Sequence, residues 1–239
     1  MYRAFLSFWR ARFSSACTVP LRARQNALAL GLAVALYPAS CARADSIEQL
    51  RAFVAQVHAA RGRFVQTLIE APSRGESARP AAPLPARRSS GTFLFSRPGR
   101  FIWRYEQPYQ QILQSDGKTF YIYDKDLNQV MLHPLDQAFS ASPLAVLFGR
   151  NNLEHDFALR PQAARDGLEW LKMTPKKTDE SPYRRILLGF RNGQPESMEL
   201  HDAFGNLTVL TLSALEKNSP LPERMFKFDM PPGVDIIRE

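Results

Sequence analysis

The side chains that could carry out chemistry are scattered along this sequence. The four histidines, His58, His133, His155 and His201, do not fall into a metal-binding spacing such as H-E-x-x-H. The chain has no nucleophile elbow, phosphate-binding loop or dinucleotide-binding motif, and no carboxylates are paired in a context that predicts a raised pKa. These observations favour a protein that is not an enzyme and that needs no metal or cofactor, although a carboxylate pair assembled only by the fold is invisible at this level.

One short stretch resembles the beginning of a calcium-binding loop. Asp124, Asp126 and Asn128 occupy alternate positions, as the first ligands of such a loop do. The loop also needs glycine at its sixth position and a bidentate glutamate at its twelfth, where Gln129 and Leu135 stand. The pattern therefore favours a turn between two strands over a calcium site.

Positive charge is concentrated at the start of the chain. The 239 residues include 31 lysines and arginines against 23 aspartates and glutamates, which gives a formal net charge of +8. Residues 1–44 hold six arginines and no acidic residue, so the remainder holds 25 basic and 23 acidic residues. A nucleic-acid-binding surface needs concentrated basic residues to neutralise phosphates. The balanced remainder therefore weighs against a nucleic-acid partner.

Residues 1–44 have the pattern of a secretory signal peptide. Arginines come first, an apolar run over residues 27–36 follows, and residues 42–44 supply small side chains for a cut before Asp45. The apolar run is about half as long as a membrane-spanning helix requires. The sequence thus predicts an exported protein whose mature chain is residues 45–239.

Both cysteines, Cys17 and Cys41, precede the predicted cut. The mature chain would therefore have neither a disulfide nor a thiol. A cut at Cys41 instead would attach a lipid, but a lipoprotein signal usually carries leucine where Pro38 stands. A soluble product is the favoured interpretation and a lipidated one the alternative.

The predicted mature chain begins with a helix and continues as short strands in a single domain. Ser46 and Gln49 have the spacing of a capping box, and apolar residues follow with helical periodicity. Residues 71–88 contain four prolines, which predicts a loop insertion between two strands. About ten strand-like segments, the last at residues 226–228, are separated by turn residues, and short connections favour antiparallel pairing.

Aromatic residues alternate along one of these predicted strands. Phe101, Trp103 and Tyr105 share one of its faces. Residues 142–149 predict a short helix with almost no polar side, which must lie on another apolar surface. A curved sheet with an aromatic face and two helices could form a half-open barrel around an apolar cavity. The same pattern also fits a sheet whose aromatic residues simply fill a core.

Two specific patterns include the aromatic strand and the turn that follows it: R-P-x-x-F-x-W-x-x-x-x-P over residues 97–108 and S-D-G-K at residues 115–118. In these patterns the sequence resembles the LolA family of periplasmic outer-membrane lipoprotein carriers. Further similarity covers nearly all of residues 45–236 and includes residues 142–147, 173–175 and 226–234.

This resemblance implies an unclosed antiparallel β-barrel with an α-helical lid over a hydrophobic cavity. The implied function is that of a monomeric periplasmic chaperone, without catalysis, that carries the acyl chains of lipoproteins. The implied partners are acylated lipoproteins as cargo, an inner-membrane ABC-type releasing complex and an outer-membrane receptor. The related lipid-anchored receptor of the LolB type, which requires a lipidated Cys41, is the alternative, followed by a carrier or sensor of another lipid.

The resemblance also implies roles for individual residues. Arg97 and Pro98 correspond to a latch, in which the guanidinium donates hydrogen bonds to carbonyls of the lid or a loop. A solvated turn arginine is the alternative interpretation of Arg97. The residues implied to contact cargo lie on the first helix, the aromatic strand and the lid: Leu50, Val54, Phe101, Trp103, Tyr105, Leu144 and Leu147.

Overall fold

One sheet organises the part of the chain that the computed structural model describes, which is residues 45–71, 86–135, 153–178 and 181–238. The twelve strands within those residues are β1 (Ala59–Ile69), β2 (Ala86–Ser96), β3 (Arg100–Gln107), β4 (Gln111–Asp116), β5 (Thr119–Asp124), β6 (Gln129–Pro134), β7 (Phe157–Pro161), β8 (Glu169–Pro175), β9 (Tyr183–Arg191), β10 (Gln194–Asp202), β11 (Leu207–Lys217) and β12 (Asp235–Arg238). The helices of the same residues are α1 (Ser46–Gln56), the one-turn α2 (Leu153–Asp156) and a 3-10 helix (Glu223–Phe226). Residues Ala42–Glu239 form one compact unit.

The order of the strands leaves the sheet open. From one edge to the other it is β12, β6, β5, β4, β3, β2, β1, β11, β10, β9, β8 and β7. Neighbouring strands run antiparallel, except that β12 runs parallel to β6. Within the described residues the edge strands β12 and β7 do not pair with each other, so the sheet does not close into a barrel. The predicted mainly-β fold with an unclosed, largely antiparallel sheet is confirmed.

The hydrophobic core lies on one face of this sheet. Side chains alternate between the two faces along a strand, and Phe101 on β3 meets the same buried cluster as Leu188 on the distant strand β9. A face whose distant strands share one core must curve around it, so we call it the concave face and the opposite one the convex face. The helix α1 adds Leu50, Phe53 and Val54 to this cluster.

The helix α1 begins at Ser46 as predicted, but the predicted capping box is wrong. Asp45 is the N-cap residue, and no side chain caps the helix. Gln49 instead reaches the sheet, where its Nε2 donates to the carboxylate of Glu169 and its Oε1 accepts a 3.1 Å hydrogen bond from the backbone N–H of Gly193. The capping pattern describes only local options, and here a long-range hydrogen bond outcompetes it.

Three other predictions differ from the structure. The segment at residues 226–228 is not a strand, since the 3-10 helix ends at Phe226, whose side chain is buried. The predicted loop over residues 71–88 ends earlier, because β2 begins at Ala86. The strand β12 was not predicted, because its four residues are all exposed and show no alternation. Its parallel pairing with β6 also departs from the antiparallel prediction.

Several predictions fall on residues outside the described ranges. These are the signal peptide over residues 1–44, the apolar helix over residues 142–149 and most of the loop insertion over residues 71–88. The helical lid, which the resemblance implies, therefore stays a prediction.

Candidate functional site

Five aromatic side chains on the concave face, Phe64, Phe93, Phe101, Trp103 and Tyr105, form what we call the aromatic wall. Trp103 is 1% exposed, and its ring centroid lies 3.9 Å from that of Phe64 and 5.5 Å from that of Phe93. Both rings are stacked against the indole, while Tyr105 meets Phe64 edge-on at 5.2 Å. The wall thus presents aromatic surface, with few polar groups, toward the interior of the curved sheet.

The wall is assembled from three neighbouring strands. Phe93 on β2 pairs directly with Trp103 on β3, whereas Phe64 on β1 pairs with Gly91 on β2. Because Gly91 has no side chain, the Phe64 ring can reach across β2 to stack on Trp103. A Cβ atom at Gly91 would lie 1.8 Å from the carbonyl oxygen of Arg104, so only glycine fits at this crossing.

The helix α1 packs its apolar stripe into the same core. It lies against β7 and β8, and Leu50 and Val54 are both buried. Hydrogen bonds fasten it at its polar side, where Gln49 binds Glu169 and the Nε of Arg51 donates to Glu154 on α2 at 2.7 Å. The helix is therefore one cover of the concave face.

Arg97 closes one end of the concave face. Its Nε donates to the carbonyl oxygen of Val57 at 3.0 Å. Its backbone N–H donates to the carbonyl oxygen of His58 at 2.8 Å. The guanidinium carbon lies 5.2 Å from the ring centroid of Phe95 and 5.9 Å from that of Phe53. Burial of this charge lowers the pKa of Arg97 to about 10. A charged group is thus held in an apolar setting where α1 ends and β1 begins.

The other end of the concave face opens into a cleft of about 510 Å³, which we call the end cleft. The Tyr105 hydroxyl donates to Oε1 of Gln66 at 2.9 Å, and the Tyr105 ring lies 5.4 Å from that of Tyr109, which is 41% exposed. Burial raises the pKa of Tyr105. The residues that line the end cleft are Gln66, Leu68, Arg87, Arg88, Ser89, Pro108 and Tyr109.

A second tryptophan lies on the convex face. Trp170 alternates with the core residues Leu171 and Met173 along β8, so its indole points away from the concave face. Its Nε1 donates to the carbonyl oxygen of Arg165 at 3.2 Å, and the Arg165 guanidinium lies 4.1 Å from the ring centroid. That guanidinium also forms an ion pair with Glu199. We call Trp170, Arg165 and Glu199 the Trp170 cluster. A hydrogen bond and an ion pair stabilise it.

The structure brings most of the predicted cargo-contacting residues together. Four of them, Leu50, Val54, Phe101 and Trp103, are buried in one core cluster, and Tyr105 packs against that cluster. The other two, Leu144 and Leu147, lie outside the described residues. That these residues bind cargo stays a prediction.

The predicted latch residues occupy the turn between β2 and β3. Pro98 follows a cis peptide bond in this turn. The hydrogen bond from Arg97 to Val57 has the chemistry predicted for a latch, a guanidinium donating to a loop carbonyl, and it shows that Arg97 is not a solvated turn residue. The predicted lid partners lie outside the described residues, so the latch role stays a prediction.

Sequence reasoning missed two members of the aromatic wall. Phe64 and Phe93 stand on predicted strands, and their alternation with polar neighbours places each on one face. That pattern could have identified them as inward-facing, but the register that stacks them on Trp103 is a long-range property. The end cleft, whose residues come from three separate stretches, was also missed.

The stretch that resembles the beginning of a calcium-binding loop forms a turn between β5 and β6. Asp124 accepts hydrogen bonds from the backbone N–H groups of Asp126 and Leu127, which is a turn as predicted. Within the described ranges no group of histidine, cysteine or carboxylate side chains is arranged to hold a metal ion. A search of the same ranges finds no helix with the length and hydropathy needed to span a membrane.

Comparisons with known proteins give a consistent result. Residues 55–229 match the model of the family "Outer membrane lipoprotein carrier protein LolA". The chain is 48% identical over 198 residues to the outer-membrane lipoprotein carrier protein of Cupriavidus pinatubonensis, covering 83% of this chain and 90% of that one. It is 46% identical over 219 residues to the protein of the same name from Ralstonia nicotianae, covering 92% and 99%.

Among solved structures, a LolA superfamily protein from Nitrosomonas europaea is similar to this chain, with a TM-score of 0.44 and 14% identity. The similarity covers 78% of this chain and 99% of that one.

Proposed function

This chain belongs to the LolA family of outer-membrane lipoprotein carrier proteins, and from that premise we propose that it shelters the acyl chains of its cargo against the aromatic wall. The protein is a carrier and not an enzyme. The observation that supports the proposal is the wall itself, a stack of aromatic rings on the inner face of an unclosed sheet. Such a surface can take up hydrocarbon without breaking strong hydrogen bonds.

The energetics explain why an acylated protein needs a carrier. Each buried methylene gains about 0.8 kcal/mol, so a sixteen-carbon chain gains about 12 kcal/mol on leaving water. Release must remain possible, so the empty carrier has to recover part of this energy. Rings such as Trp103 and Phe64 can do so by packing on each other when no chain lies between them.

Arg97 has the features of the element that sets this balance. Its hydrogen bond to Val57 ties the β2–β3 turn to the end of α1, and burial of its charge opposes that closure. Closed and open states must differ by only a few kcal/mol if cargo is to shift them. Arg97 is the latch in this proposal, and Pro98 fixes the turn that carries it.

We also propose a route for the carrier, which family membership supports. Residues 1–44 direct export and are removed after Ala44, and residues 45–239 act as one soluble, monomeric domain in the periplasm. Acylated lipoproteins are received from an inner-membrane ABC-type releasing complex and handed to an outer-membrane receptor. Mass spectrometry of the intact protein tests this route. A mass equal to that of a chain starting at Asp45 would support the route, whereas a diacylglyceryl group on Cys41 would favour the lipid-anchored receptor instead.

The two tryptophans of residues 45–239 allow a direct test of where cargo lies. Trp103 stands in the aromatic wall and Trp170 on the convex face. Bromine atoms on an acyl chain quench an indole only at contact distance. A triacylated cysteine peptide with brominated chains should quench Trp103 in a Trp170→Phe variant and should leave Trp170 unchanged in a Trp103→Phe variant.

The outcomes of this experiment separate the candidate functions. Quenching of neither tryptophan would reject the aromatic wall as the acyl site, and quenching of Trp170 alone would move the site to the convex face. A brominated phospholipid that competes equally would favour a carrier of another lipid.

A further inference from the structure

We propose that the end cleft binds the polar linkage of an acylated cysteine, namely its ester and amide carbonyl groups, through hydrogen bonds from Arg87. This inference rests on the proposed function, because it assumes that acyl chains lie against the aromatic wall. Arg87 does not belong to the predicted cargo-contacting set.

The first argument is the position of the cleft. Arg97 and the end of α1 close the concave face where β2 ends. Arg87 stands near the opposite end of the same strand, opposite Leu68. Acyl chains that lie along the wall must leave it at the open end, so their polar linkage must be placed there.

The second argument is the continuity between wall and cleft. Tyr105 belongs to the wall, yet its hydroxyl binds Gln66 and its ring contacts Tyr109, both of which line the cleft. Exposure increases along this path from Trp103, which is 1% exposed, to Tyr109, which is 41% exposed. The surface of the protein thus changes from aromatic side chains to a mixture of aromatic and polar side chains. An acylated cysteine changes in the same way, from its hydrocarbon chains to its carbonyl groups.

The third argument is the chemistry of the lining. Leu68, Pro108 and Tyr109 supply apolar surface, and the Arg87 guanidinium supplies hydrogen-bond donors and no acceptors. Arg87 stands opposite Leu68 in the sheet and shares its face, whereas the next residue, Arg88, points to the other face. Ester and amide carbonyls are hydrogen-bond acceptors, so the donors of the cleft complement the acceptors of the ligand. A cleft of about 510 Å³ has the size of an ordinary small-ligand site.

The charge of the cleft is moderate, which suits a neutral but polar ligand. Arg87 forms an ion pair with Glu70, whose carboxylate offsets its positive charge. Arg87 is exposed, so a ligand can reach it without displacing a buried contact. A guanidinium can bind one carboxylate and still donate to a carbonyl, since it carries five N–H donors.

The experiment compares two probes that differ only in the linkage. One is a triacylated cysteine amide with brominated chains and glycerol esters, and the other is its diether analogue, which lacks the two ester carbonyls. Affinity is measured by quenching of Trp103 in the Trp170→Phe protein. We expect the ester probe to bind about tenfold more tightly, as one or two charge-assisted hydrogen bonds would give.

The variant that removes the donor is Arg87→Met, which keeps an unbranched apolar stem. It should bind the two probes with equal affinity. The matched control is Arg61→Met, which removes the same charge from an exposed arginine elsewhere on the sheet, also paired with a glutamate, and should keep the tenfold preference.

Each result has a distinct meaning. If the original protein does not discriminate between the probes, or if the Arg87→Met variant still discriminates, the end cleft does not bind the carbonyls and the inference is overturned. If neither probe quenches Trp103 at all, the proposed function fails instead. Loss of the preference in the Arg61→Met control would attribute it to overall charge and would also overturn the inference.

Discussion

The two tryptophans of the described structure are buried almost equally but in opposite kinds of surroundings. Trp103 on the concave face is 1% exposed and Trp170 on the convex face is 3% exposed. Trp103 is stacked between the rings of Phe64 and Phe93, whereas Trp170 is covered by Arg165, to whose carbonyl it also donates. Burial alone therefore does not distinguish the proposed binding surface from a purely structural contact.

The arginines near these two clusters differ in the same way. Arg165 stacks on Trp170 and pairs with the Glu199 carboxylate, so its charge is compensated at the surface. Arg97 lies among Phe53 and Phe95, where burial lowers its pKa to about 10. Desolvation of its charge opposes the closed contact of Arg97, and in the proposed function this cost allows a ligand to shift that contact.

The largest expected effect comes from placing a carboxylate at each tryptophan. Trp103→Glu should weaken binding of an acylated cysteine peptide more than about 100-fold, because an unpaired charge would stand against apolar surface. Trp170→Glu places its carboxylate beside the Arg165 guanidinium and should keep the original affinity. Binding titrations of both variants, with circular dichroism to establish folding, measure the difference.

A Trp103→Phe variant serves as the control, since it keeps an aromatic ring and should bind almost normally. If folded Trp103→Glu captured lipopeptide as the original protein does, the aromatic wall would not be the acyl site and the contrast between the two faces would disappear.

The next effect concerns release of cargo. Arg97→Leu removes the hydrogen bond to Val57, which is worth about 1.5 to 3 kcal/mol for a charged donor. The open, loaded state is then stabilised relative to the closed state. Loading should therefore persist, while transfer to the receptor slows about tenfold or more. A two-step transfer assay with purified partners scores loading and release separately.

Arg165→Leu is the matched control for this prediction, because it removes the arginine that stacks on the other tryptophan. It should lower stability without changing either transfer step. Normal release by Arg97→Leu would leave Arg97 as a structural residue of the turn.

A third prediction tests the packing around Trp170 on the convex face. A Cβ atom at Gly189 would lie 3.0 Å from Cδ1 of Leu168 and 3.2 Å from two ring atoms of Trp170. Gly189→Ala should therefore reduce the free energy of unfolding by about 1 to 3 kcal/mol and leave the affinity for lipopeptide unchanged. Urea unfolding measures the loss, and Gly189→Ala should cost less in a Trp170→Phe background than in the original protein because the smaller ring makes room.

The smallest expected effect is on the pH dependence of the free energy of unfolding, and it comes from His201 on the convex face. Burial and the nearby Arg185 lower the pKa of His201, although Glu199 opposes this. The folded protein then binds a proton less readily than the unfolded chain, so His201 contributes stability above about pH 6.5 that is lost as the pH falls. Solvent screens this partly exposed group, which limits the effect to less than about 1 kcal/mol.

Urea unfolding between pH 7.5 and about pH 5 tests this contribution. A His201→Gln variant should lose less stability across that range than the original protein. An identical pH profile for the two proteins would show that His201 does not contribute.

Sequence pattern alone located much of the site. Phe101, Trp103 and Tyr105 were assigned to one face by their alternation, and the first helix was assigned by periodicity. These features are local, since a strand presents every second residue to the same side whatever it packs against. The R-P-x-x-F-x-W pattern added the family, which the comparisons confirm.

Other features depended on contacts between distant segments. Gln49 was assigned to a helix cap, yet it binds Glu169, which lies 120 residues away. The strand β12 has no sequence pattern of its own and exists because β6 offers it an edge. Local propensity could not identify either feature, because each is stabilised by a partner far along the chain.

The sequence by itself therefore determined which side chains face inward, that the sheet is made of short strands, and the family. Only the tertiary structure decided that Phe64 crosses over Gly91 to stack on Trp103, that Arg97 binds the end of α1, and that a polar cleft continues the wall. The physical reason is that alternation fixes the face of a residue within its own strand. Register, curvature and the closing of one end are set by packing among strands that are distant in sequence.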